Sequence, residues 1–166
     1  SQFTYFQQVA GRDCNPVSGE ITYGLERLAM YVLDIDHVMD MPFNDPGSNV
    51  PLRYGDVFRQ TEQEYARWNF DVANTEILLG HFEDAENECK RILGQDSFDS
   101  KTGKKIIMVH PAYDQCIKAS HIFNLLDARG VISVTERQAY ISRVRGLARK
   151  CADAFVMTEA AGISHL

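Results

Sequence analysis

The sequence lacks the features of a membrane protein and those of a metal-centred or disulfide scaffold. No apolar run approaches the roughly 18 residues that a membrane-spanning helix needs. The four cysteines stand far apart without a C-x-x-C pair, and the five histidines show no ligand spacing. We therefore expect no bound metal, no disulfide framework and no membrane partner, and we expect the protein to work in the reducing cytoplasm.

The sequence also has fewer basic than acidic residues. Lys and Arg number 17 against 23 Asp and Glu, which gives a net charge of −6. Proteins that coat nucleic acids neutralise many phosphates, so this composition excludes that class and leaves only a local basic patch open. The 166 residues, 45% of them apolar, suit one globular domain or one domain and part of another. Because a strand-like pattern starts at Ser1, we expect the chain to be part of a longer protein.

The first third of the chain predicts the order strand, turn, strand, helix. Residues 2–9 alternate as in a strand with one wetter face. A turn-rich stretch at 11–19 leads to a second short alternation at 20–23, and the period becomes helical from Leu25.

The rest of the chain predicts mainly helices. Residues 34–55 are irregular, with a short strand expected around 38–43, and four helices follow. Asn74 is the expected N-cap of the second helix, and Ser133-Val134-Thr135-Glu136 forms a capping box at the start of the fourth. The polar stretch 94–110 is typical of an exposed loop. The faces expected to be buried are Phe58, Tyr65 and Trp68; Leu78, Phe82, Ala85, Cys89 and Ile92; Ala112, Cys116, Ala119, Phe123 and Leu126; and Ile141, Val144, Ala148, Cys151 and Phe155.

These patterns predict an α+β fold that is mostly α, with short antiparallel strands followed by an antiparallel helical bundle. We divide the chain into residues 1–33, which hold the strands and the first helix, an irregular connection at 34–55, and a helical domain at 56–166. The last of these includes the exposed loop 94–110.

The segment Gly19–Ala29 is the most informative for chemistry. Gly24 stands between a strand and a helix, where it permits a close backbone approach, and the helix N-terminus behind it favours a phosphate-bearing ligand. The planar guanidinium of Arg27 can lie on a purine ring or reach a phosphate. On spacing alone, the alternative is that Gly24 is a junction and that Glu26 and Arg27 are a solvated charge pair.

Three longer segments carry a family resemblance. The run Gly-Leu-Glu-Arg-Leu-Ala from Gly24, entered from a strand, resembles motif 3 of class II aminoacyl-tRNA synthetases. More narrowly, Gln2–Gln8, Gly19–Tyr31 and Phe123–Gly130, continuing through Ile132–Gln138, resemble the α chain of bacterial heterotetrameric glycyl-tRNA synthetase. The resemblance runs along nearly the whole chain, although the stretch between residues 94 and 110 is longer than we expect in the family.

The resemblance implies a fold and a reaction. The strands would be the end of a class II catalytic sheet, followed by the family's helical domain. The enzyme would activate glycine with ATP and Mg²⁺ to glycyl-adenylate and transfer it to tRNA(Gly). A β chain, which handles most tRNA recognition, and a second α chain would complete the assembly. Motifs 1 and 2 are absent here, so we expect these residues to be inactive alone.

Glycine-binding residues follow from the same resemblance. Glu20 matches a carboxylate that holds the substrate ammonium in the related alanyl enzymes, and Gln2 matches an amide at the substrate's carboxylate end. Thr4 and Thr22 would form pocket walls. For Glu20 the alternative is a solvent-facing strand residue, and for Gln2 and Thr4 it is a half-exposed strand edge.

ATP-binding residues are expected within motif 3 itself. The resemblance implies Gly24, Glu26 and Arg27, with Arg27 as the catalytic residue, and it implies no protein metal site. A different class of function also stays open, namely a non-catalytic helical module that assembles with a partner chain. The last helix is basic but its cations, Arg137, Arg143, Arg145, Arg149 and Lys150, spread around the axis, which favours a solvated surface over a contact with tRNA or the β chain.

Overall fold

A two-stranded antiparallel hairpin opens the chain. The computed structural model describes residues 1–45, 47–103 and 105–158. Strands β1 (Gln2–Val9) and β2 (Arg12–Thr22) are joined by Ala10 and Gly11, whose φ angles are 52° and 80°. Two positive φ angles in a two-residue connection are typical of a type I′ turn, which matches the twist of the strands. The prediction of a turn-rich stretch at 11–19 is therefore wrong, because the reversal takes only two residues and β2 continues through that stretch.

Helix α1 (Leu25–Leu33) follows the hairpin as predicted. After it the chain forms a 3₁₀ turn, Val38–Asp40, in which the ring Nδ1 of His37 accepts a hydrogen bond from the backbone N–H of Met39 at 3.2 Å. The strand expected around 38–43 is not formed, since Pro42 makes only an isolated bridge with Arg53.

Helix α2 (Tyr54–Arg67) continues into a π-helical turn, Trp68–Val72. Gly55 packs so closely on the 3₁₀ turn that a Cβ there would lie 2.9 Å from the carbonyl oxygen of Met39. The expected burial of the face of α2 holds in part for Phe58, which is half-buried, and is wrong for Tyr65 and Trp68, which remain 64% and 45% exposed. The start of α2 is covered, because the ring of Phe58 contacts those of Phe43 and Tyr54, with centroids 5.6 and 4.5 Å apart.

Three long helices form the second part of the chain. They are α3 (Thr75–Gly94), α4 (Val109–Ala128) and α5 (Val134–Phe155), and α3 packs on both of the others. The side chain of Asn74 accepts from the N–H groups of residues 76 and 77, and Ser133 and Glu136 form the predicted capping box. Between α3 and α4, the segment expected to be an exposed loop contains a small hairpin of β3 (Ser97–Phe98) and β4 (Lys105–Ile106). The expected end of the loop at 110 is wrong, because the buried Val109 already starts α4 and the two residues before it pack against the core.

The core of the helices confirms most of the predicted stripes. All five residues of each stripe on α3 and α4 are buried. On α5, Cys151 is buried and the other apolar residues up to Ala148 pack against the core, while Phe155 is 38% exposed. Leu147, which the stripe omitted, is almost fully buried. The predicted mostly helical α+β class is confirmed.

The described residues divide into two compact units. One holds residues 1–8 and 13–72, and the other holds 9–12 and the chain from Ala73 onward. These units do not coincide with the ranges 1–33, 34–55 and 56–166 suggested by the sequence, which stay a prediction about domain organisation in the whole protein.

Three buried thiols lie in the helical core. The Sγ atoms of Cys89 and Cys151 are 3.8 Å apart, and the Sγ of Cys116 faces the carbonyl oxygen of Val144 at 3.9 Å. Burial raises the pKa of all three thiols, that of Cys151 to about 12. Because the thiolate is the reactive form, these side chains act as small apolar packing groups.

A buried ion pair joins α3 to α5. The Arg143 guanidinium donates from Nη2 to Oε2 of Glu86 at 2.6 Å and from Nε to Oε1 at 3.2 Å. Lys90 adds a contact to the same carboxylate at 3.2 Å. The guanidinium also lies over the rings of Phe82 and Tyr140, at 4.5 and 4.9 Å from their centroids. The hydrogen bonds from Arg143 hold the pKa of Glu86 below its usual value, against the effect of burial.

We expect Arg143→Met to destabilise the chain by about 1 to 3 kcal/mol at pH 7, because it leaves the buried Glu86 carboxylate with only Lys90. A lowered folded pKa contributes stability that is present above the unfolded pKa and is lost as the pH falls through the folded one. The difference from wild type should therefore shrink below about pH 4. Urea unfolding at neutral and acid pH measures both quantities.

The control for this prediction is Arg91→Met on α3. Arg91 pairs with Glu88 at 2.6 Å, but on the exposed surface. Its loss should cost at most about 1 kcal/mol. If the difference in the free energy of unfolding between the wild type and Arg143→Met does not change with pH, then Arg143 acts by packing on Phe82 and Tyr140 and not through its charge.

Candidate functional site

Strand β2 ends in two polar side chains that contact each other. Residues two apart in a strand point to the same face, and Glu20 and Thr22 are such a pair. The Thr22 hydroxyl Oγ1 donates to Oε1 of Glu20 at 2.5 Å. Both residues are exposed, so the carboxylate is oriented by a neighbouring hydroxyl on an open strand face.

Gly24 makes the junction from β2 to α1. It is the N-cap residue with φ 67° and ψ 90°, and its carbonyl accepts the first helical bond from the N–H of Leu28 at 3.1 Å. A Cβ at this position would meet no atom within 4 Å. The glycine is thus favoured by the positive φ and not by lack of space. Gly24 has no side chain that could cap the helix, so within the described part of the chain the first N–H groups of α1 are available to an anionic ligand.

An open depression of about 480 Å³ lies beside this junction. Five of the residues singled out from the sequence line it: Gln2, Thr22, Gly24, Glu26 and Arg27. The N-terminal end of β1, the end of β2 and the first turn of α1 therefore meet at one place. The lining combines hydrogen-bonding groups and both signs of charge with a helix N-terminus.

Two of the predicted site residues lie outside that lining. Glu20 is connected to it through the hydrogen bond from Thr22. Thr4 is half-buried on β1 and does not line the depression. The structure therefore brings together five of the seven residues and leaves Thr4 apart.

Arg27 is free of internal partners in the part of the chain that the structure describes. Its side chain is exposed at the edge of the depression and forms no ion pair with Glu26 or any other described carboxylate. Glu26 is exposed as well, so both charges of this motif face solvent. The guanidinium is available to a ligand.

Two further residues of the wall, Met30 and Val38, are apolar and were not predicted from the sequence. Met30 lies one turn after Arg27 on α1, and Val38 belongs to the 3₁₀ turn. The helical period could have identified Met30, because residues three apart share a helix face. Nothing local to Val38 indicates this position, since the turn that carries it reaches the depression only in the folded unit.

The described ranges contain neither a metal-binding cluster nor a membrane-spanning helix. No group of three or more His, Cys, Asp or Glu is placed to hold a metal ion among residues 1–45, 47–103 and 105–158. Over the same residues, none of the helices combines the length and the apolar character required to cross a membrane.

Comparison with known protein families gives a match along almost the whole chain. The family model described as "Glycyl-tRNA synthetase alpha subunit" matches residues 1–160. The match includes the hairpin, the junction at Gly24 and all five α-helices.

Proposed function

Because the chain belongs to the glycyl-tRNA synthetase alpha subunit family, whose activity in the intact enzyme is that of an aminoacyl-tRNA ligase, we propose that its depression binds glycine and ATP. The reaction would be glycyl-adenylate formation followed by transfer of the glycyl group to tRNA(Gly). The observation that carries this proposal is the meeting of Gln2, Thr22, Gly24 and Arg27 at the N-terminus of α1.

On the glycine side, Glu20 is proposed to bind the substrate ammonium. A carboxylate facing an ammonium makes a charge-assisted hydrogen bond, which is stronger than a neutral one. Thr22 supports this role because its hydroxyl already donates to Oε1 and leaves Oε2 for the substrate. Gln2 would bind the carboxylate end of glycine with its amide, and Thr4 and Thr22 would limit the space next to the α-carbon.

On the ATP side, Gly24, Glu26 and Arg27 are proposed to bind the nucleotide. The exposed N–H groups at the start of α1 suit a phosphate or another anion. Mg²⁺ would accompany ATP on its phosphates, which fits this surface, since Mg²⁺ commonly takes only one or two protein carboxylates and Glu26 lies in the lining. When bound, the ion would neutralise phosphate charge.

Arg27 is proposed as the catalytic residue. A carboxylate oxygen of glycine attacks the α-phosphorus, the bond to pyrophosphate breaks, and negative charge builds up on the oxygens in between. An already placed guanidinium stabilises that charge without reorganising. No carboxylate among the described residues pairs with Arg27, so its guanidinium can bind a phosphate without first breaking an ion pair.

Assembly with other chains is part of the proposal. We propose a β chain, a second α chain and tRNA(Gly), bound mainly through the β chain, as partners in the cytoplasm. The exposed apolar surface supports this, because Tyr31 on α1 is 86% exposed and Val32 beside it 72%. Apolar patches of that kind mark contact surfaces. A non-catalytic helical module would use such patches equally well but gives no reason for the polar lining at Gly24.

Substrate selection tests the glycine side of the proposal. Thr22→Gly should open space for a methyl group and admit alanine, narrowing the glycine-over-alanine ratio by about 10-fold or more, because one methyl in a packed site is worth about 1 to 3 kcal/mol. Glu20→Gln should weaken both amino acids together by about 10-fold or more, because the ammonium loses its counter-charge. Amino-acid-dependent ATP–pyrophosphate exchange by the assembled enzyme measures both effects.

Glu83→Gln on α3 is the matched control, since it removes one exposed carboxylate outside the depression. It should leave exchange with either amino acid unchanged. If Thr22→Gly keeps the wild-type ratio and only lowers the melting temperature, Thr22 supports the strand and does not select the substrate. If Glu20→Gln keeps wild-type activity, the ammonium is bound elsewhere.

A further inference from the structure

The basic residues of α5 fall into two groups that the sequence alone did not separate. Arg137 pairs with Asp127 at 2.9 Å and Arg143 with Glu86 at 2.6 Å, so these two cations hold the helices together. Arg145, Arg149 and Lys150 are exposed, and none of them forms an ion pair with a carboxylate among the described residues. Three cations of α5 are therefore free to meet a ligand.

Two of the free cations, Arg145 and Arg149, lie on the side of α5 that faces away from the core, whereas Lys150 stands three residues after the buried Leu147 and closer to the core. Residues 138, 145 and 149 follow steps of seven and four, which place them on one side of a helix. The buried Leu147 lies about half a turn from Arg145 and Arg149. With a rise of about 1.5 Å per residue, the two arginines are about 6 Å apart along the axis.

The carboxylates of α5 already have hydrogen-bond partners. The helix has two acidic residues, Glu136 and Asp153. Glu136 belongs to the capping box, and Oδ1 of Asp153 accepts from Nη2 of Arg12 at 2.8 Å within the same compact unit. Neither carboxylate of α5 itself is therefore free to compete for the arginines, although the whole chain carries a net charge of −6.

The side chains on this surface suit phosphates better than a protein partner. Protein interfaces usually depend on a few large apolar or aromatic anchors, and here no exposed residue between 138 and 150 is apolar and larger than alanine. Contacts to nucleic acid phosphates come mainly from Arg, Lys and polar side chains. The exposed residues of this stretch are Gln138, Ala139, Ser142, Arg145, Gly146, Arg149 and Lys150.

We propose that the outer side of α5, formed by Gln138, Arg145 and Arg149 and called here the α5 basic face, contacts the phosphate backbone of the tRNA substrate. This inference rests on the proposed function, because tRNA is the polyanion that the reaction brings to the enzyme. It adds a contact from this chain to those expected from the β chain. The contact is with the backbone, so it contributes affinity and orientation and not sequence selection.

The test measures binding of a tRNA(Gly) transcript to the assembled enzyme over a range of salt concentrations. Arg145→Gln with Arg149→Gln should weaken binding about 10-fold at about 150 mM salt. It should also reduce the slope of log affinity against log salt by about 1.4 to 1.8, the value for two lost phosphate contacts. Arg145→Lys with Arg149→Lys keeps the charges and should bind nearly as wild type.

A charge-matched control is Arg91→Gln with Lys105→Gln. Both of these cations are exposed but already paired, with Glu88 and Asp96 respectively. This variant has the same net charge as the Arg145/Arg149 double variant, so wild-type tRNA affinity in the control shows that position and not overall charge matters. Melting temperatures of the Arg145/Arg149 variants should be unchanged, and that of the control should fall by a few degrees at most, because its two ion pairs are exposed.

Three outcomes overturn the proposal. The first is unaltered tRNA binding in the Arg145/Arg149 double glutamine variant, and the second is an equal loss of tRNA affinity in the control variant. The third is loss of β-chain assembly with normal tRNA affinity in the double glutamine variant, which would identify this surface as a protein interface. Glycine-dependent ATP–pyrophosphate exchange separates this from the proposed function, because that half-reaction needs no tRNA. If the Arg145/Arg149 double glutamine variant shows normal exchange and unaltered tRNA binding, only the proposed role of the α5 basic face is contradicted. Absence of exchange in the wild-type enzyme contradicts the proposed function itself.

Discussion

Replacing Arg27 by alanine should lower glycine-dependent ATP–pyrophosphate exchange of the assembled enzyme by about 30- to 900-fold, which is about 2 to 4 kcal/mol of transition-state stabilisation. The physical reason is that the substitution removes the cation that we propose to face the reacting phosphate. Among the described residues, no other Lys or Arg lines the depression. The fall should be in kcat/KM for ATP, measured at subsaturating ATP with glycine in excess.

Two further variants separate the charge of Arg27 from its shape and from general surface charge. Arg27→Lys keeps the charge but loses the planar fork, so activity between that of the wild type and that of the alanine variant is expected. Arg67→Ala removes an exposed cation near the end of α2 and should leave exchange unchanged. A loss below about threefold for Arg27→Ala would mean that Arg27 is an ordinary surface charge.

Replacing Phe82 by alanine should destabilise the helical unit by about 3 to 5 kcal/mol, the range for a fully buried phenylalanine. Phe82 has no exposed surface and stands at the meeting point of α3 and α5. Its ring centroid lies 4.9 Å from that of Tyr140 and 4.5 Å from the Arg143 guanidinium carbon. The substitution therefore removes apolar burial, a ring contact and a cation–π contact together.

Urea unfolding followed by circular dichroism checks this expectation, because most of the helix signal comes from α3, α4 and α5. Phe98→Ala is the matched control, since Phe98 in β3 is 61% exposed and its truncation should change the free energy of unfolding by about 0.5 kcal/mol or less. A cost below about 1 kcal/mol for Phe82→Ala would mean that the three helices close over the space that the ring leaves.

Where structure depends on neighbours in the chain, the sequence was sufficient. The N-cap at Asn74 and the capping box at Ser133 were both predicted, because a cap satisfies backbone N–H groups within three residues of itself. The stripes on α3 and α4 were predicted for the same reason, since the helical period alone sets which side chains share a face.

The predictions that were wrong concern features that are set by packing and not by the local sequence pattern. Glycine, asparagine and proline between 11 and 19 are typical of turns, yet the turn formed at Ala10 and Gly11 and the strand continued. The apolar face of α2 has helical spacing, but Tyr65 and Trp68 stay 64% and 45% exposed among the residues that the structure describes. Periodicity identifies a face that can be buried and carries no information on whether a neighbour is present.

The candidate site divides in the same way. The amino-acid sequence by itself determined that Glu20 and Thr22 share a strand face and that Gly24 starts a helix with Arg27 in its first turn, because each relation spans only a few residues. Only the tertiary structure decided that Gln2 and Val38 line the same depression, and that Arg137 and Arg143 are engaged while Arg145 and Arg149 are free. Those facts depend on pairs of residues that are distant along the chain, and the closeness of such pairs is set by the packing of whole elements.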